Sequence, residues 1–195
     1  MRSGFAIATM QELAGRRLVL LSPSARELLT SRPVPPPYRL QDGDTTVAVF
    51  HQVPQQLGSW VCDSDEGSWV FEPDSANGLW VVAGRISVRA AVGHREVAHF
   101  QRIARLLQGA VHVAGVADRA YFGRSAAFET RYVITSASAT EALVQVAGVR
   151  GARSRVTITP DACSLTDLPW LVPLACLLRV RLRAEMAFPR LGGTG

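Results

Sequence analysis

Four stretches of the chain bring together residue types that could do chemistry. In Cys62-Asp63-Ser64-Asp65-Glu66-Gly67, with Glu72 beyond, two aspartates stand two apart, as oxygen ligands of calcium do. An EF-hand loop needs glycine sixth and a bidentate glutamate twelfth. Counted from Asp63, Gly67 is fifth and Glu72 tenth, so the stretch reads as an acidic hairpin turn. His94-Arg95-Glu96-Val97-Ala98-His99 invites comparison with the zinc-protease helix, which needs histidines four apart with glutamate beside the first. Here they are five apart in a strand-turn-strand pattern, which sends their side chains to opposite faces. His112, Asp118 and Ser125 contain the residue types of a nucleophilic triad, but no GxSxG elbow accompanies them. The fourth stretch is Val149-Arg150-Gly151-Ala152-Arg153-Ser154-Arg155-Val156, where three arginines share a glycine-containing loop and strand start with no acid beside them. A solvated turn would use them so. An anionic head-group surface would gain about 1 kcal/mol from each.

No nucleotide-cradling GxxxxGK[ST] or GxGxxG and no catalytic signature occurs, so no catalytic residue, metal ligand or cofactor is assigned. Arg119, Arg124 and Arg131 interleave with Tyr121, Phe122, Phe128 and Tyr132, a mixture that single-stranded nucleic acid also requires. In a sheet protein such aromatics belong to the core or rim, and nucleic acid is not the expected partner. The charge is uneven. Residues 85–155 hold eleven arginines against four acids, whereas residues 1–84 hold six against nine. Every Lys-or-Arg position is arginine, as a GC-rich coding sequence would produce.

These residues must be positioned by an ordinary globular chain. At 195 residues it is long enough for a real core, and 48% apolar with 19% charged residues excludes a disordered one. Cys62, Cys163 and Cys176 form no CxxC pair, which points to a reducing, cytoplasmic setting. The apolar run near the N-terminus is shorter than a signal-peptide core. Residues 1–32 read as an extension with a short strand and one or two helical turns, which Ser22 or Ser24 would cap with Glu27 three residues after Ser24. Four prolines in 33–37 make a stiff connector.

Hairpins follow in series over 38–188. Tyr38 to Phe50 turns at Asp42-Gly43, the strongest short hairpin signal. Trp69 to Val82 turns between Pro73 and Gly78, Ile86 to Phe100 at Gly93-His94-Arg95, and Tyr132 to Val146 at a small polar loop; Arg153 to Thr159 alternates once more. The stretch 102–124 is ambiguous, because Ile103, Leu106 and Leu107 have helical spacing and Val111 and Val113 alternate.

The most apolar run is Asp167 to Met186. Trp170 to Leu178 is nine residues, too short to span a membrane, and Arg179, Arg181 and Arg183 follow. Those arginines also alternate as in a strand, but length and Leu/Ala content predict a helix over about 170–186, with Pro173 kinking it or delaying its start. A helix apolar nearly all round must be surrounded. The expected fold is therefore mainly β (α+β): an antiparallel β-barrel of successive hairpins around a hydrophobic C-terminal helix.

In organisation, the Asp-Gly hairpin at Tyr38–Phe50, the hairpins starting at Ile86 and Tyr132, and the run Arg155 to Leu178 ("RVTITPDACSLTDLPWLVPLACLL") resemble the tubby-like and phospholipid-scramblase-like (LURP-one-related) superfamily. The resemblance implies a closed barrel wrapping a buried C-terminal helix, and association with lipid. The expected function is a non-enzymatic barrel that binds anionic lipid head groups or a protein partner at the membrane surface, through Arg150, Arg153 and Arg155. No cofactor is called for, and the chain is expected in the cytoplasm, peripheral to the membrane at most. Two other classes stay open: a small-ligand carrier of helix-grip or lipocalin-like type, and an enzyme with an unrecognised site.

Overall fold

A period of two runs along the strands and decides which side of the sheet becomes the core. In β1 (Arg17–Leu21), Leu18 and Leu20 are buried while Arg17 is exposed; in β12 (Arg153–Ile158), Val156 and Ile158 are buried while Arg153 and Arg155 are exposed. The chain is seen in a computed structural model that describes residues 8–24, 27, 35–54, 56, 58–74, 84–104, 107–117, 119–126, 131–137, 141–149 and 153–187.

Between β1 and β12 lie β2 (Tyr38–Asp42), β3 (Thr45–Gln52), β4 (Trp60–Ser64), β5 (Gly67–Pro73), β6 (Arg85–Ala90), β7 (Glu96–Ala104), β8 (Gln108–Val113), β9 (Ala120–Ala126), β10 (Arg131–Ser136) and β11 (Ala142–Gly148). Each pairs antiparallel with its neighbours in sequence, and β1 pairs with β12 to close a twelve-stranded barrel. Closure leaves no sheet edge unpaired. The strand expected in the N-terminal extension is this closing strand, so the barrel begins at Arg17, before the proline-rich connector.

The hairpins expected at Tyr38–Phe50, Ile86–Phe100 and Tyr132–Val146 are present. The Asp42-Gly43 turn joins β2 to β3, with Gly43 at φ 59°, where glycine is at no steric disadvantage. The acidic stretch at Asp65-Glu66 is the turn of a β4–β5 hairpin. The return strand expected at Leu79 to Val82 lies outside the described residues; β5 is followed in the sheet by β6. The ambiguous stretch is sheet: β7 runs to Ala104, β8 starts at Gln108, and Ile103 is 67% exposed, so its helical spacing does not reflect a buried face. Ser24 and Glu27 make the reciprocal capping hydrogen bonds: Glu27 N donates to Ser24 Oγ (3.2 Å), and Ser24 N donates to Glu27 Oε2 (2.8 Å).

After a 3-10 turn (Pro160–Ser164) the core helix runs from Leu168 to Ala187, two residues earlier than expected. Pro169 sits in its first turn, where no N–H is needed. Pro173 lies inside it, removing one hydrogen bond without ending it. Leu168, Leu171, Val172, Leu174, Ala175, Cys176, Leu178 and Leu182 are fully buried. The helix threads the barrel axis. Trp170 packs edge-on against Tyr121 of β9, with ring centroids 6.3 Å apart. Cys176 lies beside Cys62 of β4, and burial pushes both thiols well above their usual range. Further along, Arg181 comes near Tyr132 of β10, on the opposite wall.

The two ends of the barrel differ. At the end where the helix enters, the strands are joined by short turns. There Met10 and Leu13 are buried in the core, Met10 N donates to Glu66 Oε2 (2.7 Å), and Gln11 Nε2 donates to Leu165 O (3.2 Å). Asp167, just before the helix, accepts from the Tyr121 hydroxyl at 2.5 Å and lies 3.5 Å from Arg119 Nη1, tying the helix start to β9. At the other end the helix outruns the wall. Twenty residues span about 30 Å, whereas a six-residue strand spans about 20 Å. Arg183 and Ala184 are accordingly exposed, while Arg179 (7%) and Arg181 (4%) stay buried. The strand alternative for these arginines is thereby excluded, and only Arg183 reaches water.

Inside the wall, Gly109 of β8 and Gly123 of β9 face one another in register. A Cβ at Gly123 would run into the Tyr132 hydroxyl, which reaches across to donate to Leu107 O at 2.8 Å. The outward faces carry Arg17, Glu72, Arg85, Arg89, Glu96 and Arg155, the reverse of the apolar outer band of a membrane-spanning barrel. Among the described residues no helix is long and apolar enough to cross a membrane.

Candidate anion-binding surface

Five adjacent strands, β9, β10, β11, β12 and β1, contain not one Asp or Glu. They carry Arg124, Arg131, Arg153, Arg155 and Arg17, and all five are exposed. Each occupies an outward position because its neighbours in the strand, such as Gly123, Tyr132, Val156 and Leu18, face the core. The register fixes their arrangement. One row across the wall reads Arg131, Ala147, Arg155, Val19. The next outward row reads Arg124, Val133, Gln145, Thr157, Arg17. Arg153 stands beside Leu21. With strands about 4.8 Å apart, Arg131 and Arg155 flank Ala147 at about 10 Å. Small or neutral side chains separate the guanidinium groups, and none of the five is paired with a carboxylate among the described residues.

Of the three arginines expected from the sequence, Arg153 and Arg155 lie on this wall and Arg150 lies outside the described residues. Arg17, Arg124 and Arg131 were not singled out as site residues. They come from strands distant in sequence, and the signal that marks them is the lack of acids in every strand of this half.

The rest of the wall is built differently. Arg85 bonds Glu96 across β6 and β7 at 2.6 Å, Arg89 meets Glu72 across β5 and β6 at 3.2 Å, and His51 approaches Asp63 across β3 and β4 at 3.7 Å. Glu72, Arg85, Ser87, Arg89 and Glu96 line a polar cleft of about 310 Å³. Burial disfavours the Glu96 charge there, but a hydrogen bond from Ser87 and the Arg85 guanidinium outweigh it and hold the carboxyl below its usual range. His99 lies three residues after Glu96 on β7, with its Nδ1 3.3 Å from Glu96 Oε1. Its pKa is lowered, first by burial and then by Arg85, and its ring stacks against His112 at 5.1 Å.

Asp63 accepts from Ser68 Oγ at 2.5 Å, as hairpin-turn acids do. Among the described residues no group of three His, Cys, Asp or Glu could hold a metal ion. His94 sits in the β6–β7 turn at φ 51°, apart from His99 on β7. His112 pairs with Ala120, which puts Ser125 about 16 Å along the β8–β9 ladder, and Asp118 lies outside the described residues. Tyr121 and Tyr132 are core residues, buried to 3% and 0% exposure, rather than a stacking platform.

Fold and surface together define a closed antiparallel barrel filled by its own C-terminal helix, with one wall of exposed arginines that no carboxylate among the described residues pairs. No protein-family model, curated protein or solved structure matches the chain.

Proposed function

We propose that this is a non-catalytic barrel that docks on anionic lipid head groups through the β9–β12 and β1 wall. One observation carries the reading: five exposed arginines on five contiguous strands that contain no acid. A wall that needed charge only for solvation would mix signs, as β2 to β8 do. A smoothly curved surface with small residues between long cationic side chains suits a diffuse layer of phosphates better than a single small ligand. At about 1 kcal/mol per arginine near the membrane, five contacts would give reversible binding that salt weakens. Membership of the tubby-like and scramblase-like superfamily, and a position peripheral to the membrane, are part of this proposal; a closed antiparallel barrel around a buried C-terminal helix is the arrangement that the resemblance implies. The carrier reading loses support because the helix occupies the axis where a lipocalin-like or helix-grip fold keeps its ligand.

The test is sedimentation with neutral phosphatidylcholine vesicles and with vesicles containing phosphatidylserine. Binding is expected only to the anionic vesicles, with loss of at least tenfold in affinity for the Arg153→Glu/Arg155→Glu variant. Equal binding to both vesicle types, or to neither, contradicts the proposal. In the latter case a protein partner becomes the reading to pursue.

A further inference from the structure

We infer that Arg179 and Arg183 form a site for a phosphate-type oxyanion at the end of the barrel where the core helix emerges. Arg179 is 7% exposed, and its Nε and Nη1 are buried with no hydrogen-bond partner among the described residues. A buried cation with open donors is one of the most unfavourable things a fold can contain, and native proteins pair such groups or supply them with a ligand. Arg183 follows one helical turn later on the same face and is exposed. Its positive charge adds to the problem: burial first, then the neighbouring Arg183, lowers the pKa of Arg179. Among the described residues neither arginine has a carboxylate within ion-pair distance.

Two guanidinium groups side by side, one sunk in the barrel and one in water, supply what an oxyanion requires. They offer planar N–H donors and two positive charges. Tyr38 of β2 lies close enough for Arg183 to oppose the burial that raises its phenol pKa. A phosphate with two negative charges matches this pair better than a halide, which can use only one donor direction at a time. The pair lies on the barrel axis and the five-arginine wall lies on the outer surface, so this site stands independently of the docking surface. The oxyanion could arrive as free phosphate or as a lipid phosphate.

Thermal unfolding of the full chain in inorganic phosphate, against chloride at equal ionic strength, reads the site. Wild type is expected to gain roughly 2–4 °C in phosphate. Arg179→Met keeps the length of the side chain without the charge. It should be at least as stable as wild type in chloride and lose the phosphate gain. Arg183→Gln, at an exposed position, should lose at least half of it and serves if Arg179→Met does not fold. Arg153→Glu/Arg155→Glu should keep the whole gain, which separates this site from the outer wall. Glycerol phosphate and phosphatidic acid vesicles, the latter with the Arg153→Glu/Arg155→Glu protein, form the other arms. A gain with inorganic phosphate assigns a free-phosphate site, and a gain only with the glycerol-linked or lipid-borne group assigns a head-group site. No gain in any arm, or a gain that Arg179→Met retains in full, overturns the inference.

Discussion

The two halves of the barrel wall use arginine in opposite ways. On β2 to β8, Arg85 and Arg89 each meet a glutamate across the sheet, and His51 and His99 stand beside acids. On β9 to β12 and β1, Arg17, Arg124, Arg131, Arg153 and Arg155 face solvent with no acid in any of the five strands. Both halves share one closed sheet and one helix, so neither fold nor core packing demands the difference. A cross-strand ion pair at the surface contributes only ~0.2–1 kcal/mol. Leaving five cations without a carboxylate partner among the described residues therefore sacrifices little stability. The first half spends its charge on itself; the second presents it.

The largest expected effect breaks this contrast outright. Reversing four wall charges together, as Arg124→Glu, Arg131→Glu, Arg153→Glu and Arg155→Glu, should reduce affinity for anionic vesicles by roughly 1000-fold or more at low salt. Unfolding in urea should leave the midpoint nearly unchanged, since no described partner is lost. A drop in stability as large as the drop in binding would mean that the arginines hold the barrel together.

Next comes the inner side of the basic wall. Gly123→Ala puts a methyl group where the Tyr132 hydroxyl crosses to Leu107 O. It should cost about 1–3 kcal/mol by overpacking, read in the denaturation midpoint. Tyr132→Phe, which removes only the buried hydroxyl, should cost about 1–2 kcal/mol. If Gly123→Ala is silent, Tyr132 has room to move and the seam is looser than its contacts indicate.

The paired half should respond more weakly, and in stability alone. Glu96→Gln removes the Arg85 ion pair and should cost about 0.5–1 kcal/mol, with vesicle binding unchanged. Its pH dependence has a definite sign. His99 is held below its ordinary value of 6.5, so the unfolded chain takes up that proton first. Its contribution is fully present above pH 6.5 and falls as pH drops from there through the lowered folded value. Glu96 is also held low, below 4.5, and its contribution is lost at still lower pH, as the carboxyl protonates in the folded state. The denaturation midpoint should thus decline on acidification. The His99→Asn variant should lose the part of that decline that begins near pH 6.5; an unaltered profile would show that His99 titrates freely.

Much of this architecture can be read from local sequence. Asp42-Gly43 and Gly93-His94-Arg95 announce their hairpins because positive φ is needed at the turn. The run after Asp167 announces a buried helix because it has no polar stripe, and Ser24 with Glu27 announces a helix cap. Arg153 and Arg155 are visibly on one face because they stand two apart in an alternating strand. Closure is not legible in this way. Leu18 finds Val156 across almost the whole chain, and nothing near Arg17 identifies β12 as its partner. The start of β8 is masked because Ile103, Leu106 and Leu107 imitate a helical face. The complete wall is hidden for the same reason as the closure: Arg17, Arg124 and Arg131 join Arg153 and Arg155 only once the register is known. The burial of Arg179 is hidden too, because three arginines after an apolar run read as the point where a helix meets water, and the barrel extends past the first two.

The contrast between the halves is most directly tested by vesicle binding with matched charge. The variant Arg153→Glu/Arg155→Glu changes the unpaired wall. The variant Arg95→Glu/Val92→Glu/Thr45→Glu lowers the net charge by the same amount at exposed positions of the other half. Sedimentation with phosphatidylserine-containing vesicles should show at least tenfold weaker binding for the first and wild-type binding, within about twofold, for the second. Equal losses for the two variants would show that net charge alone drives the association, and that the five-arginine wall is not a docking surface.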